Sequence, residues 1–454
     1  MALEDPATLD AEELLAAYAA KTLTPLGALQ SITERIARRN PEINAFAVMN
    51  PAALRDAQAS TARWAAGASR GALDGVPVTI KDIIDIAGLP TRRGSKTTSA
   101  APQPADSPVV SALRAAGAVI LGKTTTTEFG WKSPGDSPAT GITRNPWNPE
   151  HTPGGSSAGA AAAAAAFFGP LHVGTDAGGS IRIPAAWSGV VGLKPSFGRV
   201  PQWPLGAFGH VAVAGPITRT VRDAALMLSA TAGFSPQDPF SLPEPKRDFL
   251  AGIEDGVAGL RIGILAAPGF AAPADDDALF ALHAARQILE SLGAKVVDAV
   301  IPLPDASISF AKIWGAALAR QVAAIAPAQH ALLDHGLTRL AAQFAGTTAI
   351  DMLEAEALRV QAAHAMACVD YDALICPCVP QAAPRAGIPV EDPLHALLHN
   401  WAPWTLLFNL TRQPALSLPM GLNAAGLPIA VQIAAPLYRD DLVLKIARAV
   451  EKTV

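Results

Sequence analysis

Residues 152–184, TPGGSSAGAAAAAAAFFGPLHVGTDAGGSIRIP, hold the pattern that decides the fold. A turn with Gly154 and Gly155 precedes the alanine-rich run at 160–168, which favours a helix. The apolar run at 171–175 then predicts a strand, and a second glycine turn follows it. A helix that leads into a strand, with glycine turns at both junctions, is typical of an α/β protein.

The same alternation continues on both sides of this stretch. Predicted helices lie at 12–20, 25–39, 107–116, 220–230, 275–292 and 440–452. Predicted strands lie at 76–80, 118–121, 261–265, 294–297, 373–376, 415–418 and 429–433. The sequence therefore predicts helices layered around a sheet.

One large domain over 1–454 is the simpler interpretation, because no segment is poor enough in apolar residues to be a linker. Within it we expect N-terminal helices over 1–67. A surface excursion is expected at 233–259, which is rich in proline, glycine and charge.

Composition excludes several classes of protein. The 35 Lys and Arg against 39 Asp and Glu give a formal net charge of −4, which argues against binding of a phosphate backbone. Hydrophobic residues make up 50% of the chain, too many for a disordered protein. Because the apolar stretches are mostly alanine, we predict no membrane-spanning helix, and the acidic N-terminus shows no signal peptide. We expect no nucleic-acid or membrane partner.

Three cysteines, Cys368, Cys376 and Cys378, are too few and too clustered for a disulfide framework. Zinc sites need four ligands at recurrent spacings, so the Cys-Pro-Cys pair is interpreted as buried thiols. We expect no metal and no cofactor. Free thiols suggest a reducing compartment, hence a cytoplasmic location.

Two short motifs match templates that their context does not support. Residues 117–124, GAVILGKT, fit a phosphate-binding loop, but Ala-Val-Ile-Leu favours a buried strand where the loop would be needed. Residues 155–159, GSSAG, fit the nucleophile elbow around Ser157. That elbow needs a strand before it, and the three prolines in 146–153 remove the donors of a central strand.

Three segments carry candidate chemistry. In 75–82, GVPVTIKD, Lys81 ends an apolar strand, where it is either a surface cation or a desolvated amine able to act as a base. In 152–159, two glycines precede Ser156 and Ser157. In 174–184, backbone N–H groups around Gly178 and Gly179 can form a concave anion site beside Ser180.

Together these segments resemble the amidase signature family of serine hydrolases. The resemblance covers nearly the whole chain and is densest over 71–223, the signature core. Ser156 and Ser180 are 24 positions apart, the interval between the two serines of that family. One departure is Ala158, where many relatives have glycine, and we expect it to change only local packing. The resemblance implies a single large domain whose mixed central β-sheet is covered by helices on both faces.

The resemblance also implies a role for each matching residue. Ser180 is the nucleophile, Lys81 is the base, and Ser156, after a cis peptide bond to Gly155, relays the proton between them. The main-chain N–H groups of Ala177, Gly178, Gly179 and Ser180 form the oxyanion hole. Ser157, Asp176 and Arg182 are expected to support this site through structural hydrogen bonds. An Arg182 that reached the acyl pocket would instead select substrates with a carboxylate.

The predicted pocket residues come from segments at the rim of the site in the family. They are Gly130, Trp131, Trp203, Trp401 and Trp404. Because most are aromatic, they favour an apolar or aryl substrate.

The resemblance thus predicts hydrolysis of the C–N bond of aryl or alkyl amides through an acyl-enzyme. Carbamate and ester hydrolysis use the same machinery and stay open. A further alternative is the glutamine-hydrolysing subunit of a tRNA-dependent amidotransferase. The expected partner is a small-molecule substrate, and the expected state is a monomer or homodimer.

Overall fold

The computed structural model of the chain describes residues 5–270 and 273–454. Its helices follow the expected alternation with strands. They are α1 Ala11–Ala19, α2 Pro25–Ile43, α3 Ala53–Ala65, α4 Pro108–Ala115, α5 Ala158–Ala165, α6 Arg182–Ser188, α7 Val221–Thr231, α8 Asp276–Ser291, α9 Ala306–Ala323, α10 His335–Gln343, α11 Ala349–Ala367, α12 Pro393–His395, α13 Leu406–Leu410 and α14 Asp440–Glu451.

Most of the strands form one mixed sheet. The strands are β1 Phe46–Met49, β2 Pro77–Lys81, β3 Val119–Thr124, β4 Asp136–Ser137, β5 Gly141–Ile142, β6 Leu171–Asp176, β7 Val191–Lys194, β8 Val213–Thr218, β9 Arg261–Ile264, β10 Lys295–Asp298, β11 Ala373–Pro377, β12 Ala415–Leu422 and β13 Pro428–Ala434. The 11-stranded sheet has the order β1-β3-β2-β6-β8-β7-β12-β13-β11-β9-β10, and β4 and β5 pair separately. The predicted single large α/β domain with a mixed sheet is confirmed.

Two neighbouring parallel strands position the candidate site. In the register of β2 and β6, Val78 lies opposite Leu171 and Ile80 opposite Val173. Because the strands are parallel, their carboxyl ends meet at one edge of the sheet. Lys81 and Thr175, near the ends of these strands, are therefore brought to the same edge.

Helices cover both faces of the sheet. Successive residues of a strand point to opposite faces, so apolar side chains on both faces need helices to pack against. Val78 and Ile80 pack in one apolar cluster with residues of α4 and α7. Val119 and Leu121 of the next strand pack in another cluster with residues of α2, α3 and α5. The sheet is thus the central layer.

The helix starts follow the capping rules that the sequence displays. The Gly27 N–H donates to the Thr24 side chain, with Pro25 in the first turn of α2. The Asp223 N–H donates to the Thr220 hydroxyl at the start of α7, as predicted. Helix α2 continues through Pro41 to Ile43, beyond the predicted end at residue 39.

The two misleading motifs have structural explanations. Residues 119–124 form the buried strand β3, and Lys123 makes an ion pair with Asp82 at 2.7 Å. No loop around this lysine is left to wrap a phosphate. Residues 145–153 lie outside helices and strands, so no strand directly precedes Ser157.

Other features bear on the remaining predictions. Cys376 and Cys378 are buried free thiols, as interpreted, and burial raises the pKa of each to about 12, whereas Cys368 is exposed.

Residues 233–259 contain no helix or strand but contribute the buried Phe249 and Ile253 to the core. None of the helices within 5–270 and 273–454 is long and apolar enough to cross a membrane.

Candidate active site

A fully buried lysine stands at the centre of the site. The Lys81 Nζ lies 2.7 Å from Ser156 Oγ and 2.9 Å from Thr175 Oγ1, and the Lys81 side chain has no solvent exposure. The strand β2 delivers it from one side and the strand β6 supplies Thr175 from the other. The surface-cation interpretation of Lys81 therefore does not apply.

Burial lowers the pKa of Lys81 well below its ordinary value, and the negative charge of Asp176 opposes this effect only partly. A lysine without a carboxylate partner in direct contact is stabilised as the neutral amine when it is desolvated. A neutral amine has a lone pair that can accept a proton from a neighbouring hydroxyl. The geometry therefore suits a base that acts on Ser156.

Ser156 follows a cis peptide bond to Gly155, as expected. Its side chain lies beside Gly130, where an added Cβ would come within 3.2 Å of Ser156 Oγ. Ser156 also lines a cavity together with Gly130 and Ser180. Its hydroxyl can thus contact both the buried amine and the contents of this cavity.

The neighbouring Ser157 has a structural position. Its hydroxyl donates to the Thr175 carbonyl oxygen at 3.2 Å and accepts from the Thr175 N–H at 3.3 Å. The Ser157 N–H donates to the Ser180 carbonyl oxygen at 3.2 Å. These bonds join the turn of Ser156 to the turn of Ser180.

Asp176 organises the turn that carries Ser180. Its carboxylate accepts from the N–H groups of Gly179 at 2.8 Å and Ile181 at 3.1 Å. Burial is the largest effect and raises the pKa of Asp176, but the charge and hydrogen bonds of Arg182, together with Lys194 and Asn409, outweigh it and leave the pKa below its ordinary value. Asp176 is therefore an ionised anchor for the turn.

Arg182 is fully buried, and each of its five donors has an acceptor. It bonds both oxygens of Asp176 at 2.9 Å. Its remaining bonds go to Thr405 O, Gln432 Oε1 and Asn409 Oδ1. No donor of the Arg182 guanidinium is left for a substrate carboxylate.

The candidate oxyanion hole differs from the expectation at one position. The Gly179 N–H donates to Asp176 Oδ1, so it is occupied. The N–H groups of Ala177, Gly178 and Ser180 make no bond to any acceptor in the described ranges. Three N–H donors of this turn are therefore free, and Ser180 itself is 8% exposed.

A cavity lies in front of Ser180. Its apolar wall includes Ile84, Val109 and Phe208. Phe208 stacks on Trp314 with ring centroids 3.8 Å apart, and Trp314 stacks on Phe310 at 5.2 Å. This aromatic column ends against the turn that carries Ser180, because a Cβ on Gly178 would meet Phe310 at 2.6 Å.

The predicted pocket residues divide into two groups. Gly130 and the half-exposed Trp203 line the cavity. Trp131, Trp401 and Trp404 do not line it; they are buried in the apolar cluster beside it, where Trp131 and Trp401 pack edge to face at 6.1 Å. The sequence alone could not distinguish aromatic side chains of the core from those of the cavity wall.

Sequence reasoning proposed Phe208 as apolar area at the pocket rim, but it did not single out Thr175 or the aromatic column of Trp314 and Phe310 behind Phe208. Thr175 could have been found from the register of the parallel strands β2 and β6. Ile80 pairs with Val173, so Lys81 and Thr175 lie just beyond the last paired residues of the two strands. The column had no signal, because α9 is distant in sequence. Within residues 5–270 and 273–454, no three His, Cys, Asp or Glu side chains are grouped so that they could hold a metal ion.

A comparison with protein families places this geometry in context. The model described as Amidase matches residues 28–444, almost the whole chain. The chain therefore belongs to the amidase family, and it is an amide-hydrolysing enzyme of the amidase signature type.

Particular relatives cover nearly the full length. The chain is 37% identical to a glutamyl-tRNA(Gln) amidotransferase subunit from Acidothermus cellulolyticus, over 97% of this chain and 93% of the relative. The fold is similar to that of a bacterial aryl acylamidase of the amidase signature family (TM-score 0.89, 29% identity, 98% and 96% of the two chains). It is also similar to 6-aminohexanoate cyclic dimer hydrolase in complex with substrate (TM-score 0.86, 29% identity, 99% and 97%).

Proposed function

We propose that this chain hydrolyses the C–N bond of aryl or alkyl amides through an acyl-enzyme on Ser180. The observation that carries the proposal is the 2.7 Å hydrogen bond between Lys81 and Ser156, at a cavity that Ser180 also lines. A serine hydroxyl is a weak nucleophile and needs a base within reach. A buried neutral amine behind a second hydroxyl supplies one.

Protons and bonds balance along the proposed reaction. Lys81 Nζ accepts the proton of Ser156 Oγ, which accepts the proton of Ser180 Oγ as that oxygen bonds to the acyl carbon. The tetrahedral intermediate then breaks its C–N bond, Ser156 gives a proton to the leaving amine, and Lys81 returns its proton to Ser156, which leaves the Lys81 amine neutral again. Water attacks the acyl-enzyme by the same relay, which releases the acid and restores Ser180.

The oxyanion of the intermediate is assigned to the N–H groups of Ala177, Gly178 and Ser180. The proposal omits Gly179, whose N–H already donates to Asp176. Loss of one such donor typically slows an enzyme ~10²–10³-fold. Asp176 and Arg182 serve to position these donors rather than to touch the substrate.

The substrate preference is proposed from the cavity wall. Its apolar residues and the aromatic column behind the turn favour an aryl or alkyl group beside the scissile bond. Carbamates and esters present the same acyl carbon to Ser180, so we include them as candidate substrates. The aryl acylamidase that shares this fold is consistent with an aryl group.

A second candidate function is supported by the 37% identity to the amidotransferase relative. In that function the chain would release ammonia from glutamine as one member of a larger assembly. The apolar cavity wall favours the first candidate. A cytoplasmic location, and a monomeric or homodimeric state, stay predictions.

A substrate panel tests the proposal. The purified chain should hydrolyse an anilide, and any carbamate or ester hydrolysis should respond to the same substitutions. Ser180→Ala should lower kcat at least ~10³-fold, and a fluorophosphonate should label the wild type at Ser180 only. Ser111→Ala, an exposed serine on α4, is the matched control and should keep wild-type rates.

Two results would contradict the first candidate. One is full anilide hydrolysis by Ser180→Ala. The other is a chain that hydrolyses glutamine but no anilide, which would favour the amidotransferase function.

A further inference from the structure

One part of the cavity wall holds three polar side chains that the proposed mechanism does not use. Asp85, Arg93 and Ser107 line the same cavity as Ser156 and Ser180. They come from the loop after β2 and from the residue before α4. The Ser107 N–H donates to the Asp85 carbonyl oxygen at 3.1 Å, so these two are neighbours.

None of the three side chains has a partner in the described part of the chain. Asp85 Oδ1 and Ser107 Oγ are buried without a hydrogen bond, and Ser107 is only 6% exposed. The half-buried Arg93 guanidinium makes no ion pair and no hydrogen bond with any residue of 5–270 or 273–454. Arg92, by contrast, is tied to Ser95 O and Thr98 Oγ1 of its own loop.

Asp85 and Arg93 both line this cavity, and both charges act on the ammonium of Lys123. Burial lowers the pKa of Lys123 and Asp82 opposes this; beyond these effects, Asp85 raises that pKa and Arg93 lowers it. The two side chains form no ion pair with each other. This part of the cavity wall therefore carries one negative and one positive side chain.

Buried polar groups without partners cost free energy, so a ligand that binds here should supply partners for both charges. An anionic ligand group would pair with Arg93 but be repelled by Asp85. A cationic ligand group would pair with Asp85 but be repelled by Arg93. A zwitterion would satisfy both, but two ionic groups would have to lose their water in a largely apolar cavity. A neutral group with one acceptor and one donor meets both charges at the lowest desolvation cost.

We propose that the preferred substrate carries, besides the scissile bond, a second amide-type group (an amide, carbamate or urea) that binds to Arg93 and Asp85. Its carbonyl oxygen accepts from the Arg93 guanidinium, and its N–H donates to the Asp85 carboxylate. This inference rests on the proposed function, because Ser180 must act in the same cavity. Arg93 and Asp85 are specificity residues and take no part in bond breaking.

The test compares anilides whose acyl chains have one length and end in methyl, N-methylcarboxamide, carboxylate or ammonium, repeated for several chain lengths. At the best length, the kcat/KM ratio of carboxamide to methyl substrate should be ~10-fold or more, with most of the difference in KM. Arg93→Met and Asp85→Asn should each bring that ratio close to one. Lys96→Met removes an exposed cation from the same loop and should keep the wild-type ratio.

Each outcome is decisive. A ratio near one in the wild type at every length, or an unchanged ratio in both variants, overturns the inference. A preference for the carboxylate or the ammonium substrate also overturns it, in favour of a single-ion site. Hydrolysis of the methyl substrate by the wild type, and its loss in Ser180→Ala, reports separately on the proposed function. Thermal melting of both variants identifies any that fail to fold.

Discussion

The buried pair of Asp176 and Arg182 gives the sharpest stability prediction. Replacement Asp176→Asn keeps the shape of the side chain but removes its charge. Both partners have no solvent exposure, and Arg182 bonds both carboxylate oxygens at 2.9 Å. The variant would leave a buried guanidinium without its counter-charge and would place an N–H₂ group against donors.

Removal of one partner from a buried ion pair typically costs about 3–5 kcal/mol. We therefore expect the free energy of unfolding to fall by about that amount at pH 7, measured by urea unfolding with tryptophan fluorescence. Activity should fall as well, because Asp176 holds the Gly179 and Ile181 N–H groups that shape the turn of Ser180. The free N–H donors of that turn would lose their fixed positions.

The pH dependence follows from the lowered pKa of Asp176 in the folded protein. A depressed carboxyl pKa contributes stability that is present above the unfolded-state value and is lost as the pH falls toward the folded-state value. The difference between wild type and variant should therefore shrink below about pH 4. The matched control is Asp298→Asn, an exposed partner of Arg286, whose effect should be near the limit of detection. Equal, small effects of both replacements at pH 7 would refute the reasoning.

Three further predictions concern the site. Lys81→Ala should lower kcat ~10²-fold or more. In the wild type, a pH–rate profile should show kcat falling toward acid pH as Lys81 becomes protonated, and the midpoint of that fall should lie well below pH 10.5. Thr175→Val removes the 2.9 Å partner of the Lys81 amine and should reduce kcat more than it raises KM; equal kinetics would argue against a positioning role. Gly154→Ala should prevent most of the protein from folding, because φ is +88° there and a Cβ would lie 2.6 Å from Pro184 Cα. The amount of soluble protein after expression and its circular dichroism spectrum measure this effect.

Sequence patterns predicted the strands and helices with regular periodicity and failed where tertiary contacts override local preference. Strand β8 was not predicted, because Gly215 and Pro216 are strand breakers. It forms between β6 and β7, where Gly215 is needed for space: a Cβ there would lie 2.4 Å from Leu193 O. Helices α9, α10 and α11 carry no motif, and the sequence analysis did not assign them.

By itself the sequence determined the α/β alternation, the buried strand at 118–121 and the residue types that can carry acyl transfer, because these depend on local periodicity and on motifs within short segments. Only the tertiary structure decided which groups meet. It joined Lys81 to Thr175 through the register of two strands, closed Arg182 off from the cavity with partners more than 200 residues away, and left Arg93 open to it. Burial and partnership are properties of the packed chain, so a residue type alone cannot reveal whether an arginine is an anchor or a ligand contact.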